Sequence, residues 1–526
     1  MRPQILASLL LFVLLIAACA PVVPQPLSAS GEQSAASVTQ TAQSAIATLV
    51  AEQLAALPTA TATTAPTATE TPEPTATATI PVTVSPPERT SYELNVTFTY
   101  DSRSAHVSER IRYSNASGDV LPDLRLMVEL AAFRDLFHMG GIWWVDGEVE
   151  TPVENATWQG QQIHIPLRQP LQPGQTAVLR VDYEFTLPSQ SAVAGDRPMP
   201  IGYTARQANL VDWYPFVPPY RSGSGWLAHP PAFYGEHLVF DLADFTVNLT
   251  IADQRDDLLV AASAPAEQEG DGLRFHLSAA RNFVLSIGHE YAVSTEQVGD
   301  VTVSSYYFPV NERAGKRVLQ TTVESIELYE ELFGPYPHET LAVVEADFLD
   351  GMEYDGLYFL SKAFYNLHQG GVQEYLVAIA AHETAHQWWY GVVGNDQANE
   401  PWLDEALCTY TEHLYYERYY PEALNWWWQY RVNLDSPRGW VDTTVYSHEG
   451  AQQTYRDYRG AVYLNGAHFL HDLREGMGEE AFLDFLGDYA ERNAGQIATG
   501  DGFFTLLAEH TSMDIAPLLE KYFFYR

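Results

Sequence analysis

The feature that most constrains this chain is a pair of histidines four positions apart, His382 and His386, followed nineteen positions later by Glu405. The pair sits in His382-Glu383-Thr384-Ala385-His386, inside a run from Val372 to Tyr390 that reads as helix. Residues i and i+4 share one helix face, so both imidazoles can reach a single cation. Glu383 projects about 100° round the same helix, a placement suited to polarising a water beside that cation.

Glu405 belongs to Glu400-Pro-Trp-Leu-Asp-Glu-Ala-Leu407. Pro401 is placed to open a second helix at its first turn, with Asn399 or Glu400 as its cap. The loop Gly391 to Asn399 lets that helix fold back beside the first. Trp402, Leu403, Ala406 and Leu407 surround Glu405 in sequence, and a carboxylate buried among such residues needs a cation or a metal to offset its desolvation. The expectation is one Zn2+ per chain on His382, His386 and Glu405, with a fourth position for water.

Around this constellation the pattern changes along the chain. Arg2 and a nearly continuous apolar stretch from Ile5 to Ile16 precede Ala17-Ala18-Cys19. That is the layout of a bacterial lipoprotein signal peptide over 1–18, with Cys19 lipidated and the protein anchored outside the cytoplasm. The stretch is short of the roughly 20 residues a bilayer span needs. Residues 19–90 are rich in Ala, Thr, Ser and Pro and read as a disordered tether. Alternation with period two then begins: Leu94, Val96, Phe98 and Tyr100 on one face, and later Leu179-Val181-Tyr183-Phe185 and Phe245-Val247-Leu249-Ile251. Residues 91–294 are expected to form an antiparallel β-sandwich-like domain. From 295 to 526 strands alternate with long helices, including a helix from Asn311 to Phe333, as in an α+β domain.

The charge balance, 28 Lys+Arg against 67 Asp+Glu, argues against a nucleic-acid partner. With Cys19 lipidated, Cys408 has no disulfide partner and is expected to pack as a small apolar residue. His413, His448, His468 and His471 lack ligand spacing and are assigned surface or supporting places. Trp426-Trp427-Trp428 is assigned to the core.

The metal constellation resembles that of the zinc aminopeptidases related to aminopeptidase N and the leukotriene-processing hydrolase, the gluzincin peptidases. The resemblance extends to Gly351-Met352-Glu353, similar to that family's exopeptidase motif, and to Tyr463-Leu-Asn-Gly466-Ala467, similar to its Tyr-x-Lys-Gly-Ala segment. It covers about residues 90 to 526 and is most specific from 350 to 470. It implies an N-terminal saddle domain and a thermolysin-like catalytic domain. It also implies Glu383 as general base, Tyr463 as oxyanion donor (Tyr458 being the competitor) and Glu353, with Gly351 and Met352, as the site for a peptide's free α-amine.

Several positions depart from the family pattern. Asp350 and Tyr354 flank the motif where the family has glycine and asparagine, and Asn465 stands for lysine. Asn209-Leu-Val-Asp-Trp-Tyr-Pro215 lies where a second amine-anchoring segment is usual without matching it. The sequence ends about 120 residues past Glu405, and the family's large C-terminal helical domain is expected to be absent. The expected activity is zinc-dependent removal of N-terminal residues from peptides. A zinc endopeptidase with an open cleft and a non-catalytic zinc-bearing binding module are the alternatives.

Overall fold

The computed structural model describes residues 88–133, 135–190, 200–348, 350–447 and 454–525. The expected signal peptide, Cys19, the tether as far as residue 87, and His448 lie outside the described residues.

Eight strands build the first sheet: β1 (Thr90–Thr99), β2 (Ser104–Ser114), β3 (Phe137–Asp146), β4 (Val149–Pro152), β5 (Thr176–Thr186), β6 (Ala243–Ile251), β7 (Ala266–Glu269) and β8 (Gly272–Ala280). Their order is β7-β8-β6-β1-β2-β5-β3-β4. The alternating residues explain the sheet's two faces. Leu94, Val96 and Phe98 of β1, Leu179 to Phe185 of β5 and Phe245 to Ile251 of β6 turn every second side chain into the core.

The expected antiparallel arrangement needs a correction, because β1 and β6 run parallel, with Thr90 opposite Ala243. A parallel neighbour requires a long crossover, and the residues between β1 and β6 supply one. Smaller sheets, including a four-stranded one that contains Gln207–Leu210 and Leu285–His289, share this core.

The second sheet contains β9 (Ala292–Val298), β10 (Val301–Tyr307), β11 (Thr340–Ala346), β12 (Gly351–Tyr354) and β13 (Leu357–Ser361), in the order β9-β10-β11-β13-β12. The boundary expected between 294 and 295 therefore falls inside β9, which pairs along its length with β10. Both faces of this sheet are covered. Leu341 and Val343 of β11 join the helical core, while Ala342, Val344 and Ala346 join the core of the β domain. Tyr358 and Leu360 of β13 divide from Leu357 and Phe359 in the same way. Burial on two sides is why these strands read as unbroken apolar runs rather than alternating ones.

The helices that matter to the site are α1 (Glu312–Phe333), α2 (Tyr375–Ala385), α3 (Trp402–Tyr419) and α4 (Asn465–Met477). Helix α1 stops at Gly334, whose φ of 95° breaks the helical path while its N–H still reaches Glu330 O at 3.2 Å. Helix α2 is buried from Leu376 to Ala385, as its apolar composition on all sides demands. Pro401 caps α3 rather than occupying its first turn. Among the described residues no helix is long and apolar enough to cross a membrane.

Candidate metal centre

Helix α2 closes at its C-cap, His386, so His382 lies in its last turn and the chain leaves directly behind the pair. Helix α3 returns alongside and brings Glu405 from its first turn. His382 Nε2 lies 3.2 Å from Glu405 Oε2 and 3.2 Å from His386 Nε2, and His386 Nε2 lies 3.5 Å from the same carboxylate oxygen. All three residues are buried.

The outer imidazole nitrogens decide what this triangle can hold. His382 Nδ1 donates to Glu412 Oε1 at 2.9 Å, and His386 Nδ1 donates to the carbonyl of Trp389 at 3.1 Å. With the protons there, both Nε2 atoms present bare lone pairs to each other and to a carboxylate. Three acceptors facing inward with no donor among them fit a cation. Four-coordinate zinc with bonds of about 2.0–2.2 Å would set its ligand atoms roughly 3.3–3.6 Å apart, close to the 3.2–3.5 Å sides of the observed triangle. Burial opposes the charge of Glu405, but the imidazoles of His382 and His386 beside it outweigh burial and hold the carboxyl down at about 2.

Glu412 escaped the sequence reading. It lies seven residues after Glu405 on α3, two turns along the same face, and that spacing was the available signal. It is fully buried and held on three sides: by Arg431 Nη2 at 2.6 Å, Arg431 Nε at 2.9 Å and Trp427 Nε1 at 2.9 Å. Such a partner fixes both the tautomer and the ring orientation of His382. Trp427 is thus core, as expected, but its indole nitrogen also serves the centre.

Glu383 is 5% exposed, and its Oε2 has no hydrogen-bond partner. Burial raises its carboxyl well above the ordinary range; His386 opposes this, and the carboxylates of Glu353 and Glu405 add to it. Gly351 of β12 makes room for it: a Cβ there would stand 2.0 Å from Glu383 Oε1. A residue expected to meet substrate is thus also the floor beneath the candidate base. Met352 and Glu353 follow on β12, which is an edge strand, yet Glu353 is buried because the cavity wall closes over it. Gln397 Nε2 donates to Glu353 Oε1 at 3.3 Å and to Asp404 Oδ2 at 3.0 Å. Carboxylate oxygens of Glu236, Glu353 and Glu405 all lie within 4.8 Å of one another. Gln397, Asp404 and Glu236 were not singled out from the sequence, for no periodicity ties Glu236 to the helices.

Tyr463 lies in a π-helical turn, Gly460–Leu464, that leads into α4. Its hydroxyl donates to Glu405 Oε1, and its ring stacks over His382 at 6.1 Å and 10°. Gly466 lets α4 approach α3, since a Cβ there would meet Ala406 Cβ at 2.4 Å. Tyr458 packs edge-on against Tyr463, and its own hydroxyl has no partner. Asn465 points elsewhere, donating to Gly439 O at 2.8 Å. His413 corrects its expected place. It is buried and stacked on Tyr410 at 5.1 Å, in an aromatic cluster with Trp427, Trp428 and His471. Cys408 is a buried free thiol.

Residues 317–522 match the peptidase family M1 domain. Aminopeptidase M1-D of Oryza sativa subsp. japonica is 27% identical over 218 residues, covering 39% of this chain and 25% of that protein. Aminopeptidase N of Lactobacillus delbrueckii subsp. lactis is 23% identical over 295 residues, 51% of this chain and 34% of its own length. The chain thus spans about a quarter to a third of the curated relatives it matches. In fold it is similar to the M1 zinc metallopeptidase from Deinococcus radiodurans, with a TM-score of 0.57 at 20% identity, over 82% of this chain and 92% of that one. A mutant of that protein bound to a Tyr-Ser-Ala substrate superposes with a TM-score of 0.56 at 20% identity, over 82% of this chain and 93% of that one. Residues 317–522 thus carry a peptidase family M1 domain, related in sequence to aminopeptidase N and similar in fold to an M1 zinc metallopeptidase.

Proposed function

We propose that this protein is a zinc aminopeptidase that holds one Zn2+ per chain and removes N-terminal residues from peptides. The observation that carries the reading is the inward-facing triangle of His382 Nε2, His386 Nε2 and Glu405 Oε2, with the carboxylate of Glu353 beside it. Bound there, zinc lowers the pKa of a water toward neutrality and polarises the scissile carbonyl.

The remaining work falls to the protein's own side chains. Glu383 takes a proton from the attacking water as the new carbon–oxygen bond forms, then delivers it to the leaving amine as the carbon–nitrogen bond breaks. A buried carboxyl whose proton affinity is raised suits both halves of that transfer. Tyr463 turns its hydroxyl from Glu405 to the oxygen on which negative charge develops. Glu353 receives the substrate's α-ammonium and so sets the first peptide bond over the triangle. The wall opposite α2 would then correspond to a saddle-like β domain facing a thermolysin-like one.

Comparing free and N-acetylated amino-acid arylamides, with zinc content measured on the same preparation, tests this reading. Turnover of the free forms alone, at one zinc per chain, is expected. Cleavage that survives acetylation would overturn it in favour of an endopeptidase.

We further propose, from Ile5 to Cys19 alone, that the mature protein is lipid-anchored through Cys19 outside the cytoplasm. Cys19→Ala should release the activity from the membrane fraction, and retention there would refute the anchor.

A further inference from the structure

Asp350, which precedes Gly351-Met352-Glu353, has a φ of 73°, in the left-handed region that few non-glycine residues adopt. That turn redirects its side chain. Side chains alternate along a strand, and Met352 and Tyr354 of β12 pack against the core of the β domain. Unbroken alternation would send Asp350 to the same side. Its carboxylate instead meets the helical side, where Oδ2 accepts a hydrogen bond from the Tyr455 hydroxyl at 3.3 Å. Its charge also acts on Glu383 and on Arg431, raising the proton affinity of both. The backbone strain thus presents an acid to the side that holds the metal triangle.

Asp350 is half-buried and Tyr455 beside it is 41% exposed, so this acid stands at the mouth of the site. Its Oδ1 accepts only from the adjoining Gly351 N–H, at 3.2 Å. Among the described residues it forms no ion pair, for Arg431 is bound by Glu412 and Arg459 by Asp435. Strand β12 pairs with β13 alone, and its other edge can take an extended chain. The substrate's α-ammonium belongs at Glu353, and the reacting bond lies over Glu383, which crowds Gly351. A peptide therefore runs along this edge from residue 353 toward 350. Three residues of strand span about 10 Å, enough to carry an extended peptide from its α-amine past the first peptide bond.

We infer that Asp350 reads the substrate's second residue, the one that follows the cleaved bond, and favours lysine or arginine there. The assignment rests on the aminopeptidase reading and adds a substrate class on the leaving side of the bond. An ammonium or guanidinium on a long stem only donates hydrogen bonds, and a carboxylate accepts them. A glutamate at that place meets like charge and is disfavoured. Because the acid is half open to water, the effect is a preference and not a strict requirement.

Three tripeptides that differ only at the second residue, Leu-Lys-Ala, Leu-norleucine-Ala and Leu-Glu-Ala, form the test. With zinc-loaded protein and leucine release as the readout, kcat/KM should fall in that order, by about threefold or more at each step in low salt. The steps should shrink in about 0.5 M NaCl. Glycine suits a left-handed backbone better than aspartate does, so Asp350→Gly tests the carboxylate without threatening the fold. That variant should bring the three values together. Any influence of Asp350 on Glu383 is common to all three peptides and cancels in their ratios. Equal kcat/KM for the lysyl and norleucyl peptides, or a lysyl preference undiminished in Asp350→Gly, overturns the assignment and leaves the aminopeptidase reading standing. No leucine released from any of the three removes that reading, and this assignment with it.

Discussion

The metal triangle and the neighbouring cavity meet at Glu353 but are assembled in opposite ways. The triangle and Glu412 come from helices α2 and α3, with Trp427 and Arg431 following within the segment from His382 to Arg431, and helical spacing sets the directions of the ligands. The cavity gathers Glu129, Asp212 and Glu236 from separate stretches of the β domain and closes them over a strand edge. Chemistry that must hold atoms to a fraction of an ångström is built on rigid, sequence-local elements, whereas the cavity draws its wall from segments far apart in the chain. The two can therefore be broken separately.

The largest effect is expected at the base. Glu383→Gln should lower kcat by about 10²–10⁴-fold with zinc still bound, as measured by steady-state kinetics and metal analysis. Gly351→Ala should come close to it, since the added methyl occupies the place of Glu383 Oε1. Near-normal turnover by that variant would show that Glu383 acts from another position.

Glu412→Gln should weaken zinc binding by roughly 10–100-fold in a chelator competition, because the carboxylate that orients His382 is gone. Unchanged affinity would mean that helix packing alone positions the ring. On the other side of the comparison, Asp212→Asn should leave zinc affinity unchanged in the same chelator competition. A loss of metal there would join the two regions into one.

The smallest effect concerns stability. Burial, followed by the charges of His471 and Arg474, lowers the pKa of His413 from 6.5 to about 3. Between those values the unfolded chain binds a proton that the native state does not, so stability falls as pH drops through 6.5. For this one group the loss at pH 6 relative to pH 8 is about 0.8 kcal/mol. Urea unfolding of the parent and of His413→Gln at both pH values should differ by that amount, and identical pH dependence would disprove it.

Much of the metal centre was legible beforehand because it obeys local rules. The histidines stand four positions apart, Glu383 follows the first, and a proline-opened helix carries Glu405. Glu412 was legible in principle, from its seven-residue spacing. The strands β1, β5 and β6 showed their buried faces through alternation, but the parallel pairing of β1 with β6 left no local trace. The boundary near 294 fell inside β9 because that strand is mostly polar and carries no apolar alternation of its own; only its partner, β10, assigns it to the second sheet.

By itself the sequence determined the candidate metal ligands, the candidate base and the change from strand to helix grammar, since each depends on neighbours a few positions apart. Tertiary structure alone decided that Gly351 lies beneath Glu383, that Tyr463 rather than Tyr458 reaches Glu405, and that acids more than 80 residues apart share a cavity with an unpartnered Tyr354 hydroxyl. The physical reason is range. Backbone periodicity fixes direction over a turn or two, while closeness between distant segments comes only from how whole sheets and helices bury their faces.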